Sequence, residues 1–240
     1  MDDVWFTEEL IPAEATVEQA VKSVMDVTKA SGKGVNQQIK RTARGIVRVD
    51  RPRWSKLDPA SFLSSGQKAR FYLVRLGFQF DVPQEAREEG ARFVYARCSA
   101  YLWSAVDGQP QPTVYAVIPS DLYEGPEHKV SVKVGPQIKL TQVEASLGEV
   151  STDFTVGVVE PAIVGWPGDD ERAPYWELRP LSKTLLGLRH LWLVIEVPEK
   201  CQETRMAAMA EGDIQTHRFG LISIGPKERV WQSRPFVIIS

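Results

Sequence analysis

The chain has little of what most catalytic and metal centres are built from. Two cysteines, Cys98 and Cys201, and three histidines, His128, His190 and His217, occur among its 240 residues. Two cysteines so far apart make no C-x-x-C pair, and they exclude a multi-cysteine zinc site or a disulfide-dense scaffold. They read as buried small apolar residues in a reducing compartment, with a bridge stapling two sheets as the alternative. No G-x-S-x-G and no G-x-G-x-x-G is present. Gly32-Lys33-Gly34 lacks the wrap of residues that a phosphate loop places before its Gly-Lys end. No apolar run is long enough to span a bilayer as a helix. The chain opens Met1-Asp2-Asp3 with no basic or apolar leader, so a cytoplasmic location is expected.

The remaining polar groups do not assemble into a reaction centre by spacing. His190 lies in an apolar strand, and Glu196 on the same face is about 20 Å further along it. Glu211, Asp213 and His217 share a strand face but match no defined ligand spacing. Asp169-Asp170-Glu171 lacks the alternating ligands of a calcium loop. No catalytic residue, metal site or cofactor is assigned, and an enzyme would need a site dispersed over distant strands.

What the chain does have is strand pattern. Leu188 to Val197 is apolar on both faces, with Leu191, Leu193, Ile195 and Val197 on one and Leu188, His190, Trp192 and Val194 on the other. That pattern marks a central strand covered on both sides. From Arg70, Tyr72, Val74, Leu76, Phe78 and Phe80 line one face, with Arg75 and Gln79 on the other. Arg92 to Val106 has a small face (Val94, Ala96, Cys98, Ala100, Leu102) and an aromatic face (Phe93, Tyr95, Tyr101, Trp103). Asp107-Gly108 then signals a hairpin into Thr113–Ile118. Further strands are expected at 129–134, 138–145, 154–164, 175–178, 221–224 and 236–239, and 200–219 is read as strand although it holds helix formers. Strands at short spacing, punctuated by Gly and Pro and without βαβ alternation, predict a mainly β fold, an antiparallel β-sandwich or a barrel of the same strands.

Before Arg70 the pattern differs. Residues 1–14 read as a docking or fraying segment. Thr16 and Gln19 have capping-box spacing, and Val17, Ala20, Val21, Val24 and Val27 share one face of a helix that ends at Gly32 and Gly34. Residues 1–28 hold seven acids against one lysine, whereas residues 29–56 hold nine Lys or Arg against Asp50. Pro52 restricts Ile46–Val49 to an edge strand. The expected organisation is a helix and basic arm at 1–56, a linker at 57–69, and the β body at 70–240.

The basic arm is the strongest departure from average composition. Lys33, Lys40, Arg41, Arg44, Arg48, Arg51 and Arg53 are the candidate contacts to an anionic partner, either nucleic acid or anionic lipid. Pairing with the acidic 1–28 segment is the plainer alternative. Trp54, Trp166, Trp176 and Trp231 fall in or near loops and are candidate recognition aromatics or plugs of the core. The function expected from these features is a non-enzymatic intracellular binding or assembly module with a protein partner or a second copy of itself. The rivals are a membrane-acting effector, whose helix and basic stretch engage anionic lipid on activation, and an enzyme with a dispersed site.

Overall fold

The computed structural model describes residues 4–28, 32–58, 69–124, 130–133, 161–168, 170–179, 185, 187–226 and 235–239. The strands expected at 138–145 and 154–160, the linker at 59–68 and Trp231 lie outside these residues. The elements run β1 (Val4–Pro12), α1 (Glu14–Thr28), α2 (Gly32–Thr42), β2 (Gly45–Asp50), β3 (Arg53–Leu57), β4 (Ala69–Asp81), α3 (Gln84–Glu88) and β5 (Arg92–Ser104). They continue with β6 (Thr113–Ile118), β7 (Asp121–Glu124), β8 (Val130–Lys133), β9 (Pro161–Trp166), β10 (Tyr175–Leu178) and β11 (Gly187–Pro198). The last are β12 (Thr204–Thr216), β13 (Gly220–Pro226) and β14 (Phe236–Ile239).

The strands form one antiparallel sheet in the order β6-β11-β4-β2-β1-β13-β12-β5-β10-β9-β7-β8, with β14 on β12 and β3 on β4. The sheet curls until it nearly closes into a barrel. Closure is made by short links. Gly165 N–H donates to Ser120 O at 2.7 Å, and the stretch before β10 bonds to β5 through Pro174 O and Arg172 O while Glu171 O accepts from Val114 of β6 at 2.6 Å. The fold is therefore the mainly β, antiparallel class expected from the sequence, in its barrel-like form.

Alternation decides which side chains fill the interior. Tyr72, Val74, Leu76, Phe78 and Phe80 of β4 and Leu191, Leu193, Ile195 and Val197 of β11 all belong to the main core. Val194, on the other face of β11, is also buried, in a second cluster with Phe71, Leu73 and Ile118. The second face of β11 is thus covered only at Val194; Leu188 is exposed and His190 and Trp192 are half-buried, so the expectation of a strand covered on both sides holds for one end of it. Cys98 and Cys201 are free and buried, and burial pushes the Cys98 thiol well above its ordinary range.

Several elements differ from the sequence reading, each for a local reason. Residues 4–12 are not a fraying segment, because β1 pairs with both β2 and β13. β2 is not an edge strand, since β4 lies on its other side. Pro52 falls between β2 and β3, where the register against β4 shifts by one residue (Val49↔Phe78, then Arg53↔Arg75), so no ladder N–H is lost. The expected boundary at 57–69 is therefore spanned by ladders from both sides. α1 begins at Glu14, with Val17 N–H already bonded to Ala13 O at 3.0 Å, so Thr16 lies in the first turn rather than at the cap.

Gly32 opens a second helix, α2, instead of only ending the first. Val35, Ile39 and Thr42 are its buried side, at helical spacing. Between β4 and β5 the chain forms α3, with Ala86 buried. Asp107-Gly108 turns the chain without making a hairpin, because β6 pairs with β11 rather than with β5. Phe93 also departs from the expected alternation. Tyr95 faces Asp213 and Phe93 faces the next residue, Ile214, so Val94 is an extra residue at a bulge and Phe93 turns into the core.

Candidate binding face for an anionic partner

The basic stretch divides into two halves that the structure treats differently. On α2 and just after it, the cations meet carboxylates. Lys40 Nζ lies 2.8 Å from Glu14, Arg41 lies 3.5 Å from Glu85 and 3.8 Å from Glu89, and Arg44 pairs with Glu9. Two of these acids, Glu9 and Glu14, come from the acidic first segment. These pairs are solvent-exposed and contribute about 0–1 kcal/mol each. Their consequence is cancelled charge rather than stability.

The other half lies on β2, β3 and the bend between them. Arg48 is exposed and faces Gln79 of β4, and Arg51 is exposed at the bend. Arg53 stands directly opposite Arg75. No ion pair joins Arg48, Arg51, Arg75 or the α2 residue Lys33 to a carboxylate among the described residues. The next strand over is β11, where Trp192 faces Arg75 and His190 faces Gly77. The face thus combines arginines from three stretches of chain with His190 and Trp192, whose rings meet edge to face at 6.1 Å.

One acid, Asp50, sits within this face. A Cβ on Gly77 would stand 2.4 Å from Asp50 Oδ2, so the absent side chain is what lets the carboxylate lie across β4 towards His190. Even with Asp50 present, the cations prevail. The His190 imidazole is held below its ordinary value of 6.5, first by burial and then by Arg75, with Asp50 opposing and Arg53 adding to the depression. A cross-strand pair of like charges such as Arg53 and Arg75 is unfavourable in an isolated sheet.

His190 has a measurable consequence for stability. Its folded-state pKa is depressed, so the unfolded chain takes up the proton first as pH falls. The group's contribution is present above pH 6.5 and is lost as pH falls below it. Thermal melting between neutral pH and about pH 5 should show a steeper loss for the native chain than for His190→Gln. Parallel curves would mean that His190 titrates alike in both states.

The tryptophans scatter. Trp54 on β3 is 47% exposed and packs edge to face on Tyr72 at 5.6 Å. Trp166, the last residue of β9, is 52% exposed. Trp176 is not a loop residue: it lies on β10 and is fully buried. Sequence reading missed Arg75, His190 and Trp192 as members of the basic face, and only strand register brings them there. Glu211 and Asp213 lie on β12 and His217 in the following turn, and no group of three metal-ligating side chains forms among the described residues. Open grooves flank α1, the larger of about 770 Å³, lined by Tyr95, Glu211, Asp213 and the start of the helix. No described helix is long and apolar enough to cross a membrane, which leaves strands unaddressed.

No protein-family model matches the chain, and no curated protein matches it. Among solved structures, the NetB toxin of Clostridium perfringens in its membrane-inserted form is 7% identical, with 81% of this chain and 88% of that chain covered and a TM-score of 0.33. The delta-toxin of Clostridium perfringens is 6% identical, with 77% and 81% covered and a TM-score of 0.31. The C-terminal domain of the Streptococcus pyogenes antigen I/II-family protein AspA is 8% identical, with 75% and 51% covered and a TM-score of 0.28. These neighbours are thus two toxins and a domain of an antigen I/II-family protein, and likenesses at this level carry no argument for this chain.

Proposed function

We propose that the protein is a non-enzymatic binding or assembly module that holds an acidic segment of a protein partner on the outer face of β2, β3, β4 and β11. The observation that carries this reading is the division of the basic stretch. Lys40, Arg41 and Arg44 are neutralised within the chain, whereas Arg48, Arg51 and Arg75 are left without carboxylates among the described residues. The cations that the fold does not use are gathered beside one another on a single sheet face.

The size of the face favours a short acidic segment over a long polyanion. Arg48 and Arg53 lie five positions apart on consecutive strands, roughly 17 Å of extended chain. The chain as a whole carries 31 acids against 29 Lys and Arg, a net charge of −2. A duplex or a membrane surface is more extended than this row of arginines, and its phosphates beyond the row would go without cations from it.

The test uses a fluorescent deca-glutamate peptide and the full chain. Binding should weaken steeply with added salt. Arg48→Glu with Arg75→Glu should weaken it by about tenfold or more. Lys40→Glu, in the neutralised half, should leave it nearly unchanged. Equal loss in both variants would assign the attraction to net charge and defeat the reading. A single-stranded oligonucleotide or phosphatidylserine vesicles binding where the peptide does not would replace the acidic protein segment with that partner class.

A further inference from the structure

A second face of the sheet has the opposite character. On β5, β10 and β12 the outward side chains carry rings and guanidinium groups together. Tyr101 and Trp103 are stacked, with centroids 5.9 Å apart and planes 27° from parallel. Tyr175 of β10 pairs with Ser99, one position along the same face from Tyr101, and with Trp166 of β9 on its other side. Tyr95 lies at the far end of the row. Each ring except those of the two tryptophans has an arginine over it: Arg97 over Tyr175 at 3.8 Å, Arg172 over Tyr101 at 5.7 Å and Arg179 over Tyr95 at 5.5 Å.

Charge separates this face from the basic one. Arg172 is paired with Asp170 at 3.1 Å and Arg179 with Glu177 at 2.8 Å. Arg97 faces Glu177 on one neighbouring strand and Glu211 on the other. The Arg172 and Arg179 guanidinium groups are therefore fixed and neutralised, and Arg97 stands between two carboxylate-bearing positions, so the face offers an anion little net attraction. It does offer one exposed ring, Trp166, beside half-buried ones, with donors and acceptors held next to them. The floor between the rings is small, with Ser99 and Ala207 nearly closed to solvent.

We propose that this face binds a neutral oligosaccharide. A pyranose presents an apolar C–H face and an equatorial rim of hydroxyl groups. The C–H face suits an exposed ring, which gives large contact area at low entropic cost. The hydroxyl rim suits guanidinium N–H donors and carboxylate acceptors that are already oriented. Between the level of Trp103 and that of Tyr95 the row is about 27 Å long, enough for a short linear chain. Nucleic acid could also stack on such rings, but it needs free cations along the backbone, and Arg172 and Arg179 are paired with carboxylates.

The experiment titrates the full chain with neutral hexasaccharides: cellohexaose, maltohexaose, laminarihexaose and N-acetylchitohexaose. Binding is read by calorimetry and by saturation-transfer NMR. At least one should bind, with little dependence on salt. Trp166→Ala and Tyr101→Ala should each weaken it by about threefold to tenfold. Arg48→Glu with Arg75→Glu should leave it intact, which separates this site from the basic face. Tyr101→Phe keeps the ring and should retain most of the binding, so a fold lost in Tyr101→Ala does not decide the result. Failure of all four sugars to bind overturns the proposal, as does binding that survives loss of both rings. So does salt-sensitive capture of a single-stranded oligonucleotide at these residues.

Discussion

Phe93→Ala should cost about 3–5 kcal/mol of stability, close to the whole margin of an ordinary domain. Phe93 is fully buried where three parts of the chain meet. Its ring packs at 5.5 Å on Phe80 of β4, it faces Ile214 of β12, and it fills the space over Gly45 of β2. A Cβ on Gly45 would stand 2.3 Å from Phe93 Cζ and 2.8 Å from Ile224 Cδ1. Gly45→Ala alone should therefore be destabilising by about 1–3 kcal/mol through overpacking. With Phe93 already truncated, the same methyl enters a cavity, and the Gly45→Ala cost should largely vanish. Chemical denaturation of the two single variants and the double variant measures this coupling. Additive losses would mean that β2 and β5 do not share one core.

The second large effect follows from the same junction. Removing residues 1–57 should abolish the cooperative fold rather than release a stable body. Leu10, Val17, Val35, Ile39, Val47 and Val49 come from this stretch, each at most 3% exposed. Their burial contributes about 1.5–3 kcal/mol apiece. The sum, an upper estimate, already matches or exceeds the 5–15 kcal/mol that typically separates native from unfolded chains. The deletion would also bare the edges of β13 and β4, and unpaired edges invite aggregation. The expected outcome is loss of amide dispersion in NMR and of a sharp melting transition. A well-dispersed, monomeric 58–240 fragment would show that the ladders of β1 and β2 are additions to a complete body.

The strands after Arg70 were legible because burial on one side imposes a period of two, and β4, β5, β11 and β12 keep it for many residues. The period cannot reveal where it slips. The Val94 bulge lies within an apolar stretch, so only the partner strand shows that Phe93 faces inward. α2 was hidden by its glycines. Gly32 and Gly34 signal a helix end, and the Val35, Ile39, Thr42 spacing that marks the next helix is diluted by the polar residues between them. β1 and β2 were misjudged because prolines and charges usually mark edges, whereas here Pro12 and Pro52 fall at strand ends.

The candidate face was half legible for a related reason. Arg48, Arg51 and Arg53 are adjacent in sequence and stand out by charge. Arg75 and His190 join them through the β3–β4 and β4–β11 registers, which no local pattern encodes. Nor could composition say that Lys40 and Arg44 would find Glu14 and Glu9. That pairing is a product of the β1–β2 ladder and the α1–α2 hairpin.

The most direct measurement follows the His190 imidazole by NMR through a pH titration of the full chain, alone and saturated with deca-glutamate peptide. The free protein should titrate below 6.5. Bound carboxylates beside Arg75 and Arg53 favour the protonated ring, so the peptide should move the titration upward. In Arg48→Glu with Arg75→Glu the free value should already be higher, and the peptide should no longer shift it. A His190 titration that stays put while the peptide binds would place the acidic segment elsewhere and contradict the assignment of this face.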